Sequence, residues 1–309
     1  MLLFILVKRR KMPLLRFGNI DHRNSVQLIV LFCFSACIFS SCKNAGGNAK
    51  KSEPEITKDS TDNLVQKLVI TYHYDTIRND SALKVFKSTY STTQQKIIAA
   101  ANRIDVNKIR VKSTLVIPDT LMLDFIQYSP FPELLPNAET IPKFILINQR
   151  IQLFAAYENG KIVQFGPVST GRKSKQTPNK LYYTNFKAKK KRSTVDGDWI
   201  MPWYFNISNF GGIGMHQYTL PGYPASHSCI RMYEENAFWI FNWADQWVLS
   251  EDGTTVAKPG TPVLIFGNYD FEQISPWKLL PQQPNAIDLT EEEQETIKNT
   301  IAELKKSAV

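Results

Sequence analysis

Two apolar, β-rich runs flank the dipeptide Asn159–Gly160 in KFILINQRIQLFAAYENGKIVQFGPVST, residues 143–170. An Asn-Gly pair between such runs is a hairpin signal with a mechanism, because glycine accepts the positive φ that the turn demands. The stretch predicts antiparallel strands and a mainly β body around them. Helical patterns beyond it are few: the main one is 234–247, and a last strand, Val263, Leu264, Ile265 and Phe266, follows Gly260. With 309 residues, 43% hydrophobic and 21% charged, the chain has material for more than one core and is excluded from the disordered and fibrous classes. One or two globular domains are expected.

Upstream the pattern changes. LVITYHY, from residue 68, alternates enough for a strand; 81–87 and 92–101 read as short helices, and 113–117 as a second strand before Pro118. Residues 67–118 therefore predict a small α/β module of order βααβ. Pro118, Pro130, Pro132, Pro136 and Pro142 bound or interrupt residues 119–140, remove backbone donors, and predict an extended linker. The β-rich domain spans 141–268. In the extension 269–309, Thr290 and Glu293 stand at capping-box spacing and Ile297, Ile301 and Leu304 share a face, which predicts an amphipathic helix packed on the protein's own body. KAKKKR, residues 187–192, reads as a solvated loop: a short basic cluster without interleaved base-stacking aromatics is a poor nucleic-acid signal.

Charge points the same way. The chain carries 37 Lys and Arg against 28 Asp and Glu, a net +9, and about half of that excess lies in residues 1–42, where Lys8, Arg9, Arg10, Lys11, Arg16 and Arg23 face Asp21 alone. The mild remainder argues against nucleic acid and suits a polyanionic cell wall. After the basic start, twelve of the fourteen residues 26–39 are apolar, and Ser40 and Ser41 precede Cys42. Basic start, short apolar run, small residues and cysteine form the order of a lipoprotein signal over 1–42, with Cys42 as the lipidated residue; a short uncut anchor is the alternative. Both put the rest outside the cytoplasm, in the cell envelope, facing the periplasm and tied to a membrane. Residues 43–66 are polar and read as a flexible tether.

Of the four cysteines, Cys33, Cys37 and Cys42 belong to that signal and Cys229 alone lies in the folded part. No internal disulfide is then available, and an unpaired thiol outside the cytoplasm needs a reason. A buried inert cysteine is the bland one. Its neighbours give another: GGIGMHQYTLPGYPASHSCIRM puts His216, Ser226, His227, Cys229 and Arg231 within sixteen residues. A thiol becomes a useful nucleophile when an imidazole can take its proton and return it to a leaving amine. His227, Cys229 and Arg231 alternate, so on an extended segment they share a side, and a guanidinium there can hold a carboxylate by a forked pair of hydrogen bonds.

Two resemblances follow. The βααβ order, with QQKIIAAANRID and TLVIPD, resembles a degenerate LysM domain, which implies binding of peptidoglycan or chitin glycan strands; it departs from LysM at Asn79 and near Lys112 and Ser113, where glycine is usual, and a module that merely folds as a spacer stays open. From residue 141 to 266, VSTG at 168–171, Thr177-Pro178, the GIGMH run ending at His216, and SHSCIRM at 226–232 together resemble the L,D-transpeptidase family, whose YkuD-type catalytic domain is β-sandwich-like. The resemblance implies cross-linking or trimming of peptidoglycan tetrapeptide stems, with no metal or organic cofactor. It implies Cys229 as nucleophile, His216 as base with its ring oriented by the backbone of Gln217, and His227 lining the donor site. The N–H groups of Ser228 and Cys229 would form the oxyanion hole, with Ser226 and Arg231 beside the substrate. Ser228 replaces the family's usual glycine, and if that position needs positive φ the serine costs on the order of 1 kcal/mol or more. Two rivals stay open: a zinc-dependent envelope peptidase using His216, His227 and Cys229 as ligands, and a non-catalytic peptidoglycan-binding lipoprotein.

Overall fold

The computed structural model describes residues 69–121, 124–193 and 197–307. The signal at 1–42, its Cys42 and the tether at 43–66 lie outside them. The described residues all fall in one unit, Leu64–Val309, and none of its helices is long and apolar enough to cross a membrane.

The chain opens with β1 (Tyr72–Thr76), α1 (Asp80–Thr89), α2 (Thr92–Ala101) and β2 (Thr114–Pro118), with β1 and β2 antiparallel. Both helices start where side chains can take up free N–H groups. Asn79 accepts from Ala82, and Ser91 and Gln94 form a capping box. β1 begins at Tyr72, four residues later than the apolar run suggests, because its partner ends at Pro118 and the chain turns there, with the Asp119 N–H on the Thr71 carbonyl. Ile77, Phe86, Ile98, Ile109, Leu115 and Ile117 make this module's own core.

The main body is one nine-stranded mixed sheet. Its strands are β3 (Lys143–Asn148), β4 (Leu153–Glu158), β5 (Lys161–Ser169), β6 (Lys180–Tyr183), β7 (Lys187–Arg192), β8 (Ile200–Ser208), β9 (Ile213–Gln217), β10 (Ile230–Met232) and β13 (Pro262–Phe266); a short hairpin, β11 (Val248–Leu249) and β12 (Val256–Lys258), stands apart. The order across the sheet is β6-β13-β3-β4-β5-β10-β9-β8-β7. Asn159 at φ 47° and Gly160 at φ 77° make the β4–β5 turn. The sheet curls until the end of β6 meets β8, where the Asn185 N–H donates to the Asn206 carbonyl at 2.8 Å. Alternate residues of β3 and β4 therefore serve two cores: Ile145, Ile147, Phe154 and Ala156 face inward, toward Phe205, Met215 and Ile230, while Phe144, Leu146, Leu153 and Ala155 face outward.

Three further expectations are corrected. KAKKKR is a strand, β7, rather than a loop: it pairs with β8, its ammonium groups lie over rings, Lys187 Nζ 5.2 Å from Phe205 and Lys191 Nζ 5.5 Å from Tyr204, and lysines on an edge strand deter further pairing. The helix α3 (Glu234–Trp243) stops short of residue 247, because Ala244 turns extended and the Asp245 N–H goes to Thr261 Oγ1 at 2.9 Å. The expected linker, over its described residues 124–140, is packed rather than extended. Its prolines limit backbone pairing, but Tyr128, Phe131, Leu135 and Ala138 bury themselves in the outer core beside Ile97 and Val116 of the small module. The last helix, α4 (Glu291–Ser307), covers that same core with Ile297, Ile301 and Leu304.

Candidate active site

β9 and β10 lie side by side and parallel, with Arg231 in register with His216. The loop 218–229 between them therefore leaves from the histidine and returns to the thiol. A cavity of roughly 310 Å³ opens there, lined by His216, Tyr218, Ser226, His227, Cys229 and Arg231 on one side and by Trp199, Tyr204 and Lys191 on the other.

The segment carrying Cys229 is held from behind. Ser226 Oγ donates to the Cys229 carbonyl at 2.5 Å. The Ser228 carbonyl accepts from Thr177 Oγ1 at 2.9 Å, and that same oxygen accepts from the Gly171 N–H at 3.0 Å. A Cβ on Gly171 would sit 2.2 Å from the Lys175 carbonyl oxygen, so the VSTG and TP runs meet only because residue 171 is glycine. Ser228 adopts φ 82°. Its hydroxyl points away from the cavity, toward the carbonyls of Lys175 and Gln176 at 3.1 Å each.

His216 is buried, 5% exposed, and its Nδ1 meets the Gln217 carbonyl at 2.9 Å. That acceptor requires a proton on Nδ1 and leaves Nε2 as the basic nitrogen. Gln217 serves through this carbonyl, and its side chain does not line the cavity. Burial drives the His216 pKa down to about 4, against the Gln217 hydrogen bond and with the Arg231 charge. Burial likewise pushes the Cys229 thiol up, partly offset by a backbone hydrogen bond at Gly214 and by the Arg231 charge. Both shifts favour the uncharged forms. The resting pair is thus a thiol and a neutral imidazole, and the thiol donates to the Gly212 carbonyl at 3.5 Å rather than to either ring.

His227 tilts against Trp199, ring centroids 5.6 Å apart, and its Nδ1 is buried with no hydrogen-bond partner among the described residues. Burial and the charges of Arg172, Arg231 and Lys175 lower its pKa. The Arg231 guanidinium lies 4.6 Å over the Tyr218 ring and has no ion pair among the described residues. Its donors are free for an anion. Among the described residues no three His, Cys, Asp or Glu side chains converge as a metal-ligating group, so the zinc alternative has no ligand set in this geometry.

Several lining groups escape the sequence reading. Tyr218 stands two residues past His216, and strand alternation alone places it on the same side. Trp199, Tyr204 and Lys191 come from the β7–β8 hairpin, far along the chain from the thiol, and no local pattern ties them to it. Gly212 acts through its carbonyl, which leaves no mark in a sequence.

No curated protein sequence matches the chain. Solved structures with similarity to it include the L,D-transpeptidase of Stackebrandtia nassauensis, at 20% identity over 47% of this chain and 63% of that one, with a TM-score of 0.36. The L,D-transpeptidase of Xylanimonas cellulosilytica aligns at 22% identity over 57% and 81%, TM-score 0.36. L,D-transpeptidase 1 of Mycobacterium tuberculosis aligns at 20% over 41% and 62%, TM-score 0.30. The chain thus spans under two thirds of the length of the first of these relatives, 63%. His216, Cys229, Arg231 and the loop that joins them all fall within residues 142–265, the segment that matches the family model of YkuD, the L,D-transpeptidase catalytic domain.

Proposed function

We propose that the protein is a peptidoglycan L,D-transpeptidase that works through a cysteine acyl-enzyme on tetrapeptide stems. One observation carries the reading: a thiol, a tautomer-fixed imidazole and a guanidinium with no ion pair among the described residues line one cavity on adjacent parallel strands. His216 Nε2 takes the Cys229 proton as Sγ attacks the carbonyl that joins the L-centre of the third residue to the terminal D-Ala. The N–H groups of Ser228 and Cys229 serve the developing oxyanion, and Arg231 holds a substrate carboxylate. Collapse breaks the C–N bond, the imidazolium returns its proton to the leaving amine, and D-Ala departs. An amine on a neighbouring stem then attacks the thioester and yields a cross-link, while water yields a trimmed stem. His227, whose Nδ1 has no hydrogen-bond partner among the described residues, lines the donor side.

The envelope setting belongs to the same reading: lipid on Cys42, a tether over 43–66, and glycan strands held by the LysM-like module at 67–118. The test is to incubate the chain with purified disaccharide-tetrapeptide and weigh both partners. Wild type gains the acyl mass and releases D-Ala, and Cys229→Ala does neither. An unmodified wild type with every stem intact overturns the proposal.

A further inference from the structure

The middle of the catalytic loop 218–229 is held by the small βααβ module. The Asp105 N–H donates to the Leu220 carbonyl at 3.1 Å, and the Leu220 N–H donates back to the Asp105 carboxylate at 3.0 Å. Next to this reciprocal pair, Ile104 and Pro221 form an antiparallel bridge, and the Tyr233 hydroxyl, just past β10, donates to the Ile104 carbonyl. Gly222 completes the contact at φ 90°, where a Cβ would come within 3.0 Å of Ile104 Cγ2 and 3.3 Å of the Asn102 carbonyl oxygen. Loop backbone therefore lies directly on module backbone. The far end of the loop is tied to β5, with Ser169 Oγ on the Tyr223 carbonyl at 2.8 Å and the Ala225 N–H on the Thr170 carbonyl at 3.0 Å.

We propose that the small module is a brace for the catalytic loop, with Asp105 as its positioning residue. The β9–β10 pairing fixes the register of His216 and Cys229; the loop that joins them forms the wall beside both, so its path bears on the attitude of the oxyanion donors and the shape of the donor side. A displacement of about 1 Å in such a constellation costs up to about 10²-fold in rate. Asp105 lies four residues past the end of α2, which is packed in the module's own core through Ile98 and Ala99. It holds the loop by both its backbone and its side chain, so a rigid element transmits its geometry to the site. The rate consequence rests on the transpeptidase reading; the brace itself does not.

The experiment compares the full wild-type chain with Asp105→Ala, which removes the side-chain acceptor, Asp105→Asn, which keeps an acceptor oxygen for Leu220, and Gly222→Ala, which pushes the loop off Ile104. Amide exchange across 218–229, acylation by disaccharide-tetrapeptide, and alkylation of Cys229 by iodoacetamide are measured on each. Asp105→Ala and Gly222→Ala are expected to raise exchange around Leu220 about tenfold or more and to slow acylation about tenfold to a hundredfold, with Asp105→Asn within about threefold of wild type. Iodoacetamide needs neither oxyanion hole nor bound stem, so its rate should hold within about twofold throughout, which separates lost positioning from a damaged thiol. If Asp105→Ala does not fold, Gly222→Ala and Asp105→Asn carry the same comparison. Wild-type exchange and acylation in the braced-loop variants overturn the proposal, and so does an Asn variant as impaired as the Ala variant. If the wild type is never acylated, the transpeptidase reading falls, and unchanged amide exchange alone then overturns the brace.

Discussion

Ser228 occupies φ 82°, a region where a side chain strains the backbone by about 1 to 3 kcal/mol. Its hydroxyl offsets much of that by donating toward two backbone carbonyls, those of Lys175 and Gln176. A net contribution of about 0.5 to 1.5 kcal/mol is usual for such a hydrogen bond. Ser228→Gly should therefore leave stability within about 1 kcal/mol of wild type, because relief of strain and loss of the hydrogen bond cancel. Ser228→Ala keeps the strain, loses the bond, and should be destabilised by about 1 to 2 kcal/mol in urea titration. An alanine variant as stable as the glycine variant would refute this balance. The resting protonation states give a second prediction. With the His216 pKa lowered to about 4 and that of the thiol raised, both groups favour their uncharged forms before substrate binds, so on the proposed reading His216 would take the proton during attack. His216→Ala should slow acylation by about 10² to 10⁴ yet leave the pH profile of iodoacetamide alkylation nearly unmoved, with its midpoint above the ordinary thiol value in both proteins. A wild-type alkylation midpoint near neutrality, lost in the mutant, would contradict it. The candidate site was legible in the sequence wherever its parts are neighbours in the chain: His216 to Arg231 are close enough to be read as one constellation, and they line one cavity. The opposite wall, Trp199, Tyr204 and Lys191, is assembled by strand pairing across the sheet, and no local spacing encodes that.

At the scale of elements, local chemistry was the legible part. The Asn159–Gly160 turn and the Thr290–Glu293 box each depend on two or three nearby residues, and each forms as its residues dictate. What depends on a distant partner was not legible: β7 is a strand because β8 pairs with it, and α3 ends where Thr261 competes for its next N–H. The Thr290 box also does more than start a helix. Glu293 accepts from Thr290 N at 3.0 Å and receives both Arg150 Nε and Nη2 at 2.8 Å, which joins α4 to the β3–β4 turn. Burial pushes the Glu293 carboxyl up, but Arg150, Thr290 and Asn148 together outweigh it and leave the pKa below its ordinary value. A lowered carboxyl pKa adds stability that is fully present above the unfolded value and is lost as the pH falls through the folded one. Glu293→Gln should then cost about 1.5 to 3 kcal/mol at pH 7, and the gap to wild type should shrink as the pH is taken below about 4. Thermal unfolding at both pH values checks this, and a gap that grows in acid has the wrong sign.

At the scale of the molecule, the small module, residues 124–140, the sheet and α4 share one outer core, and a single buried residue ties the module to the β3–β4 turn and to the C-terminal extension. Arg103 is 3% exposed and follows the last turn of α2. Its Nη1 donates to the carbonyls of Ala100 at 2.8 Å and Ala101 at 3.0 Å, while Nε reaches across to the Ile151 carbonyl of the sheet at 2.9 Å. The guanidinium also lies 5.2 Å over the ring of Trp277, which is fully buried in the C-terminal extension. Burial lowers its pKa to about 9, so it stays charged at neutral pH with carbonyl dipoles, including those at a helix C-terminus, in place of a carboxylate. Arg103→Ala would strand those carbonyls in a dry interior and leave a void against Trp277, at a cost of about 3 kcal/mol or more. The loss should be felt everywhere at once. Indole fluorescence, reporting on the body, and amide exchange in α1 and α2, reporting on the module, should move to a lower denaturant midpoint together and remain coincident. A module that melts alone in the mutant, while the body keeps its wild-type midpoint, would mean that the shared core does not couple them.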